Sequence, residues 1–369
     1  MTLGHRFRWM ELGVIASVLV ACAGGGTPAA GETAAAGGED RVLNLFGWSE
    51  YIPQTLLDGF TAETGVKVNY DAFASNEEMY AKIKAGASGY DLVQPSDYWV
   101  SLMASEGMLE ELDLAKIPNI ANVDPSLPYD LWDATHMYSV PYQYGSVAVA
   151  VNTEKVTTPI LSYNDLWDPG FAGRLVLLDD ERQIIGAALL ALGYDPNTTN
   201  EAELEAAGAK LLELVPNVKV FDSDSPSTVL LSGEADLGLV WNGEASIAHG
   251  ENPAMGYFFP SEGAIFYYDN LSILKGAEHV DAALAFMDYV LRPEVSLLIT
   301  AEFPYSNPNL AALDLLRDTD PAAYQAYIDF PATNPSPEVL AKGYILRDVG
   351  EATGIYDRIW TEFKTATGG

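Results

Sequence analysis

From Arg41 onward, short apolar runs of strand length alternate with stretches of helical period, and no other feature of the chain constrains its fold as much. Strands separated by helices are joined by crossovers rather than hairpins, which argues for parallel sheets covered by helices on both faces. Residues 42–46 read as a strand, and Pro53 opens a helix that Gly65 stops. Residues 66–72 read as the next strand. Ser75 and Glu78 then have the spacing of a capping box. Further strands are expected at 91–94, 175–178, 218–221, 237–240, 257–259 and 265–268, and Asn200 with Glu203 reads as a second cap. Helices are expected at 184–192, 279–291, 296–301 and 350–364. With 369 residues, 49% of them apolar, the chain can build two domains of ordinary size.

The first forty residues have a different character. His5, Arg6 and Arg8 precede a short apolar stretch, 12–21, that is too brief to span a bilayer. It ends in Leu19-Val20-Ala21-Cys22, which resembles the lipobox of bacterial lipoproteins. That resemblance implies a signal peptide at 1–21, lipidation of Cys22 and a membrane anchor. Cys22 is the only cysteine, so no disulfide can form within the chain. Residues 23–40 are nearly all Gly, Ala, Thr, Pro and Glu, and read with Cys22 as a flexible tether. No other segment is apolar and long enough to cross a membrane.

Several expected strands end, at their carboxyl ends, in aromatic, acidic or hydroxyl residues. These are Trp48-Ser49-Glu50-Tyr51, Ser96-Asp97-Tyr98, Asp179-Asp180-Glu181 and Trp241-Asn242-Gly243-Glu244. Tyr267 and Asp269 are two residues apart, so a strand places them on one face. In open α/β sheets ligands bind beyond the carboxyl ends of strands. Ring faces attract cations, and carboxylates pair with ammonium groups through charge-assisted hydrogen bonds. Interleaved rings and carboxylates suit a flexible alkyl polyamine. A formal net charge of −33 disfavours nucleic acid. Phosphate is disfavoured too, because no Gly-rich loop or Lys/Arg cluster accompanies these groups.

The chain resembles the spermidine/putrescine-binding proteins of bacterial polyamine ABC importers, over about residues 43–363. The resemblance rests on Gly47-Trp48-Ser49-Glu50-Tyr51-Ile52-Pro53, Ser75-Asn76-Glu77-Glu78-Met79-Tyr80-Ala81-Lys82, Tyr90-Asp91-Leu92-Val93-Gln94-Pro95-Ser96, Val240-Trp241-Asn242-Gly243 and Pro308-Asn309-Leu310-Ala311-Ala312. It implies an α/β, two-lobe periplasmic binding protein-like fold of type II, each lobe a mixed sheet flanked by helices, with the ligand in the interlobe cleft. The first lobe is expected at 41–144 plus 272–317, and the second at 145–271 plus 318–366. An aromatic box is implied at Trp48, Tyr51, Trp241, Tyr267 and Tyr305, with Tyr267 standing where Trp is usual. Ammonium-pairing acids are implied at Glu50, Asp180 and Asp269, and polar contacts at Ser49, Ser96, Tyr98 and Ser223. The family's fourth acid falls on Gln183, which accepts a hydrogen bond without charge. A contacting Gln falls on Leu346, beside Arg347. Glu181 precedes Gln183 by two residues and lies on another helix face. Implied partners are a polyamine, an ABC permease and its ATPase, and a membrane reached through lipidated Cys22. No nucleic acid is implied, and the protein is expected to be monomeric.

Enzyme chemistry finds little support. His136, His249 and His279 have no metal-ligand spacing, and there is no G-x-S-x-G elbow. Neither a cofactor nor a resident metal is expected. Two other readings of the acids and rings are another organic cation and ferric iron, the latter because Tyr267-Tyr268 is a pair of hard phenolate ligands.

Overall fold

The computed structural model describes residues 41–49, 51–87 and 89–368. The expected signal peptide, Cys22, the tether and Glu50 lie outside the described residues. Residues 40–369 form one compact unit.

Among the described residues ten strands carry the architecture: β1 (Val42–Trp48), β2 (Lys67–Phe73), β3 (Leu92–Val93), β4 (Val140–Asn152), β5 (Leu175–Leu177), β6 (Val218–Phe221), β7 (Leu237–Trp241), β8 (Met255–Phe258), β9 (Ile265–Ile273) and β10 (Tyr344–Ile345). They are linked in the order β2-β1-β3-β9-β4-β7-β5-β6, with β8 on β4 and β10 on β9. β1, β2 and β3 are mutually parallel, as are β5, β6 and β7. β9 is antiparallel to both β3 and β4, and β4 is antiparallel to β7. The two parallel groups therefore run in opposite directions, and their carboxyl ends face each other where β9 changes partners. The front of β9 pairs with β4, and its last two residues, Ser272 and Ile273, pair with β3.

Burial follows from these positions. β9 is buried along its whole length, β5 is a continuous Leu/Val run, and β7 is buried up to Trp241, as strands covered on both faces are. β2 is an edge strand and keeps Lys67, Asn69 and Asp71 outward, which blunts pairing with another chain.

Six helices each begin just after a strand: α1 (Gln54–Thr64) after β1, α2 (Asn76–Lys84) after β2, α3 (Asp97–Ser105) after β3, α4 (Glu181–Ala191) after β5, then α6 (Pro226–Ser232) after β6 and α7 (Asn242–Glu251) after β7. α5 (Glu201–Leu214) packs on α4. Pro53 is the N-cap of α1, and Gly65, with φ of 71°, closes it. Ser75 caps α2 by accepting from the Glu78 N–H, but the Glu78 carboxylate takes the N–H of Ala74 rather than that of Ser75. Asn200 caps α5 through the Ala202 N–H. The sequence reading assigns no element to 140–152, where the longest strand lies, and it stops β9 five residues short.

Candidate functional site

The loops and helix starts that follow β1, β2, β3, β5, β6 and β7 converge on one cavity enclosing about 900 Å³, its open mouth included. Trp48, Ser49 and Tyr51 come from the end of β1, Asn76 and Glu77 from the start of α2, and Ser96, Asp97 and Tyr98 from the start of α3. Asp180, Arg182 and Gln183 come from the start of α4, Ser223 and Asp224 from the loop after β6, and Trp241 and Glu244 from the start of α7. β9 supplies the floor, Phe266, Tyr267 and Asp269, and Tyr305 and Leu346 close the wall. Twelve of the thirteen ligand residues expected from sequence thus line one space; the other, Glu50, is outside the described residues.

The start of a helix favours an anion, because its N–H groups point outward unpaired. Here side-chain carboxylates occupy those ends. Asp180 caps α4, its Oδ1 accepting from the Gln183 N–H at 2.9 Å, and Asp97 Oδ1 accepts from the Tyr98 N–H at 2.6 Å. Carboxyl groups therefore take up N–H groups that bare helix ends would turn toward the cavity.

Asp269 lies where β9 passes from one strand group to the other, bridged to Ser96. It is 4% exposed. The Tyr51 hydroxyl donates to Oδ2 at 2.8 Å and the Ser96 hydroxyl to Oδ1 at 2.6 Å. Burial pushes its carboxyl up to about 6, and those two hydrogen bonds pull it back down. Asp97 is pushed up to about 8 by burial, to which the Asp269 charge adds. Asp180 is raised by burial and drawn down by its cap bond and by Arg182.

The rings form two edge-to-face pairs. Tyr51 meets Tyr305 with centroids 5.0 Å apart at 83°, and Trp241 meets Tyr267 at 5.2 Å and 81°. Trp241 Nε1 donates to the Ser223 carbonyl at 3.0 Å, and the Tyr267 hydroxyl donates to Asn242 Oδ1 at 2.9 Å. Two glycines permit this. A Cβ on Gly145, opposite Tyr267 on β4, would lie 2.3 Å from the Tyr267 hydroxyl oxygen; one on Gly243 would lie 2.3 Å from the Tyr305 ring. The Ser49 hydroxyl donates to Asp224 Oδ1 at 3.3 Å across the mouth. The Ser223 hydroxyl accepts from the Asp179 N–H at 2.8 Å.

Gln183 is 4% exposed, and its Oε1 has no partner. Leu346 lines the wall as a buried apolar contact, and Glu181 is not among the lining residues. Tyr267 and Tyr268 point to opposite faces of β9. Tyr268 stacks on Trp132 at 4.8 Å and on Tyr144 at 5.4 Å, so the two phenols do not converge on one ion. Sequence reasoning missed Asn76, Glu77, Arg182 and Asp224. Asn76 and Glu77 follow β2 as the other clusters follow their strands, so the carboxyl-end rule extended to that strand would have found them.

Residues 55–332 match the family model described as bacterial extracellular solute-binding protein. The spermidine/putrescine-binding periplasmic protein of Escherichia coli is 39% identical over 341 residues, covering 92% of this chain and 96% of that protein. Among solved structures, a putative spermidine/putrescine ABC transporter protein from Listeria monocytogenes superposes with a TM-score of 0.81 at 32% identity, over 88% of this chain and 99% of its own. The TpPotD lipoprotein of Treponema pallidum gives a TM-score of 0.75 at 32% identity, over 87% and 99%.

Proposed function

Because this chain belongs to the bacterial extracellular solute-binding proteins and, within them, to the spermidine/putrescine-binding components of ABC importers, we propose that it captures a linear polyamine in the cavity where its two strand groups face each other. The fold is the two-lobe, type II periplasmic binding protein fold. One lobe comprises 41–144 with 272–317 and the other 145–271 with 318–366; the change of partner along β9 supports this division. Its relatives are transport proteins, and the ligand is carried without chemical change.

The observation that carries this reading is Asp269: a buried carboxylate at the junction of the two groups, held by two hydroxyl donors and flanked by paired rings. Asp269, Asp180 and Glu50 pair with ammonium groups. Trp48, Tyr51, Trp241, Tyr267 and Tyr305 enclose the methylene chain, and apolar walls strengthen the ion pairs by excluding water. Ser49, Ser96, Tyr98 and Ser223 supply polar contacts, and Gln183 accepts one hydrogen bond. Closure of the lobes sequesters the ligand and presents the closed form to a permease energised by an ATPase.

The mature protein is a monomer outside the cytoplasm, anchored through lipidated Cys22. The lipobox-like Leu19-Val20-Ala21-Cys22 and the lipoprotein nature of the Treponema relative support the anchor. Among the described residues no helix is long and apolar enough to cross a membrane.

Calorimetric titration of residues 40–369 with putrescine, cadaverine, spermidine and spermine tests the reading. Saturable binding of one amine per protein is expected. No heat with any of the four would overturn the ligand class and leave the fold in place.

A further inference from the structure

We propose that Glu77, which no motif of the sequence singles out as a ligand, is a further ligand-binding carboxylate that shares one ammonium group with Asp180 and supplies the negative charge that Gln183 lacks. The proposal rests on the polyamine reading above and names the charge pattern at one end of its cavity.

Glu77 lies in the first turn of α2, Asp180 caps α4 and Gln183 follows it by three residues. All three line the cavity, and the Asp180 charge reaches Glu77. Glu77 takes hydrogen bonds from its own N–H and from Ser75, both local. Among the described lining residues the cation is Arg182. Its guanidinium donates to the Arg347 carbonyl at 3.1 Å and to Asn197 Oδ1 at 3.4 Å, and it lies over the Tyr356 ring at 4.7 Å and the Tyr98 ring at 5.8 Å. Its bonds thus go to neutral oxygens and rings, and two carboxylates face the cavity without a hydrogen-bonded cation.

A second observation is independent of the acids. Gln183 Oε1 is a buried acceptor without a donor, on a side chain that lines the same end of the cavity. A buried unsatisfied acceptor is costly unless a ligand N–H reaches it. One ammonium group placed between Glu77, Asp180 and Gln183 satisfies all three.

A plain helix-start acid should be stabilised in its ionised form by the helix dipole. Glu77 behaves otherwise. Although it stays exposed to the cleft, desolvation by the surrounding wall and then the Asp180 carboxylate push it up to about 7. The Arg182 charge draws it down more weakly than burial and Asp180 push it up, and a bound amine adds a second cation. α2 follows the β1–β3 group and α4 follows the β5–β7 group, so an ammonium held by both acids ties the two halves together.

The test is calorimetry with spermidine and putrescine on residues 40–369, on E77Q, on E78Q, which removes an equal charge from the same helix outside the cavity, and on E77Q/Q183E. E77Q is expected to weaken spermidine binding on the order of tenfold, since it removes one charge-assisted contact. E78Q should stay close to the parent, and E77Q/Q183E should regain most of the loss. Unchanged affinity in E77Q, an equal loss in E78Q, or no recovery in the double variant would each overturn the proposal. Absence of polyamine binding by the parent would instead overturn the functional reading on which it rests.

Discussion

Asp269 and Asp97 are both buried acids in the wall of one cavity, and their partners separate their roles. Both oxygens of Asp97 receive backbone N–H groups, from Tyr98 and from Tyr268 at 3.3 Å, so the chain itself occupies that carboxyl. Asp269 receives two hydroxyls, Tyr51 and Ser96, each of which sits on a cavity-lining residue. Burial pushes Asp97 up to about 8 and Asp269 only to about 6, so near neutral pH Asp269 is the acid poised to meet an ammonium group as an anion. Asp269→Asn keeps the shape and removes the charge. One of the two hydroxyls then loses its acceptor, and a buried ammonium loses its counter-ion. The expected cost in binding is about 3–5 kcal/mol. Titration at pH 7.5 reads this directly, and equal affinity in parent and variant would place the ligand elsewhere.

At the scale of elements, the start of α4 couples stability to binding, because Asp180 both caps the helix and lines the cavity. The two roles separate by substitution. Asn is as good an N-cap as Asp, whereas Ala is not, and loss of a cap costs about 0.5–2 kcal/mol. Asp180→Asn should therefore melt like the parent in urea yet bind polyamine about tenfold or more weakly. Asp180→Ala should lose both binding and stability. If Asp180→Asn binds like the parent, the residue is a cap alone. The sequence made this region legible for a local reason: β5 is a continuous Leu/Val run, and the capping acid and helix follow at once. The same locality explains why 42–48, 67–73 and 237–241 could be located. β4 and the far half of β9 could not be read this way. Pro141, Gln143, Gly145 and Ser146 interrupt any apolar pattern in β4, as do Asp269, Asn270 and Ser272 in β9. Ser146 and Asp269 find side-chain partners on distant elements, Tyr257 for the one and Tyr51 and Ser96 for the other, whereas both amide atoms of Gln143 and the Ser272 hydroxyl are buried without a partner. Site residues after β1, β3, β5 and β7 were visible in short clusters of rings and acids. Asn76 and Glu77 were not, because Ser75 and Glu78 around them read as a helix cap and β2, an edge strand, shows a mostly polar face.

For the molecule as a whole, the cavity gathers carboxylates that the fold holds above their ordinary values: Asp269 at about 6, Glu77 at about 7 and Asp97 at about 8. Arg182 is the cation among the lining residues. A raised carboxyl binds its proton more tightly in the folded chain than in the unfolded one. Its contribution to stability is complete below the unfolded value, near 4, and is lost as pH rises through the folded value. The ligand-free protein should therefore lose stability between about pH 4 and pH 8 through these groups. A polyamine reverses the preference. Its amines stay protonated across this range, and they favour the ionised carboxylates, so binding expels the protons that the empty cavity retains. Affinity should rise about tenfold or more from pH 5 to pH 7.5, with net proton release on binding near pH 6–7. Titrations in buffers of different ionisation enthalpy measure that release, and melting with and without ligand should show a gap that widens with pH, since a ligand stabilises in proportion to the logarithm of its concentration over Kd. The chain's formal net charge of −33 adds a long-range attraction for any cation, which salt screens. The proton release is different, because it originates in desolvated groups that salt screens far less. A pH dependence that vanishes at high ionic strength would assign the effect to the surface. One that persists, with a buffer-dependent heat, would assign it to the cavity carboxylates.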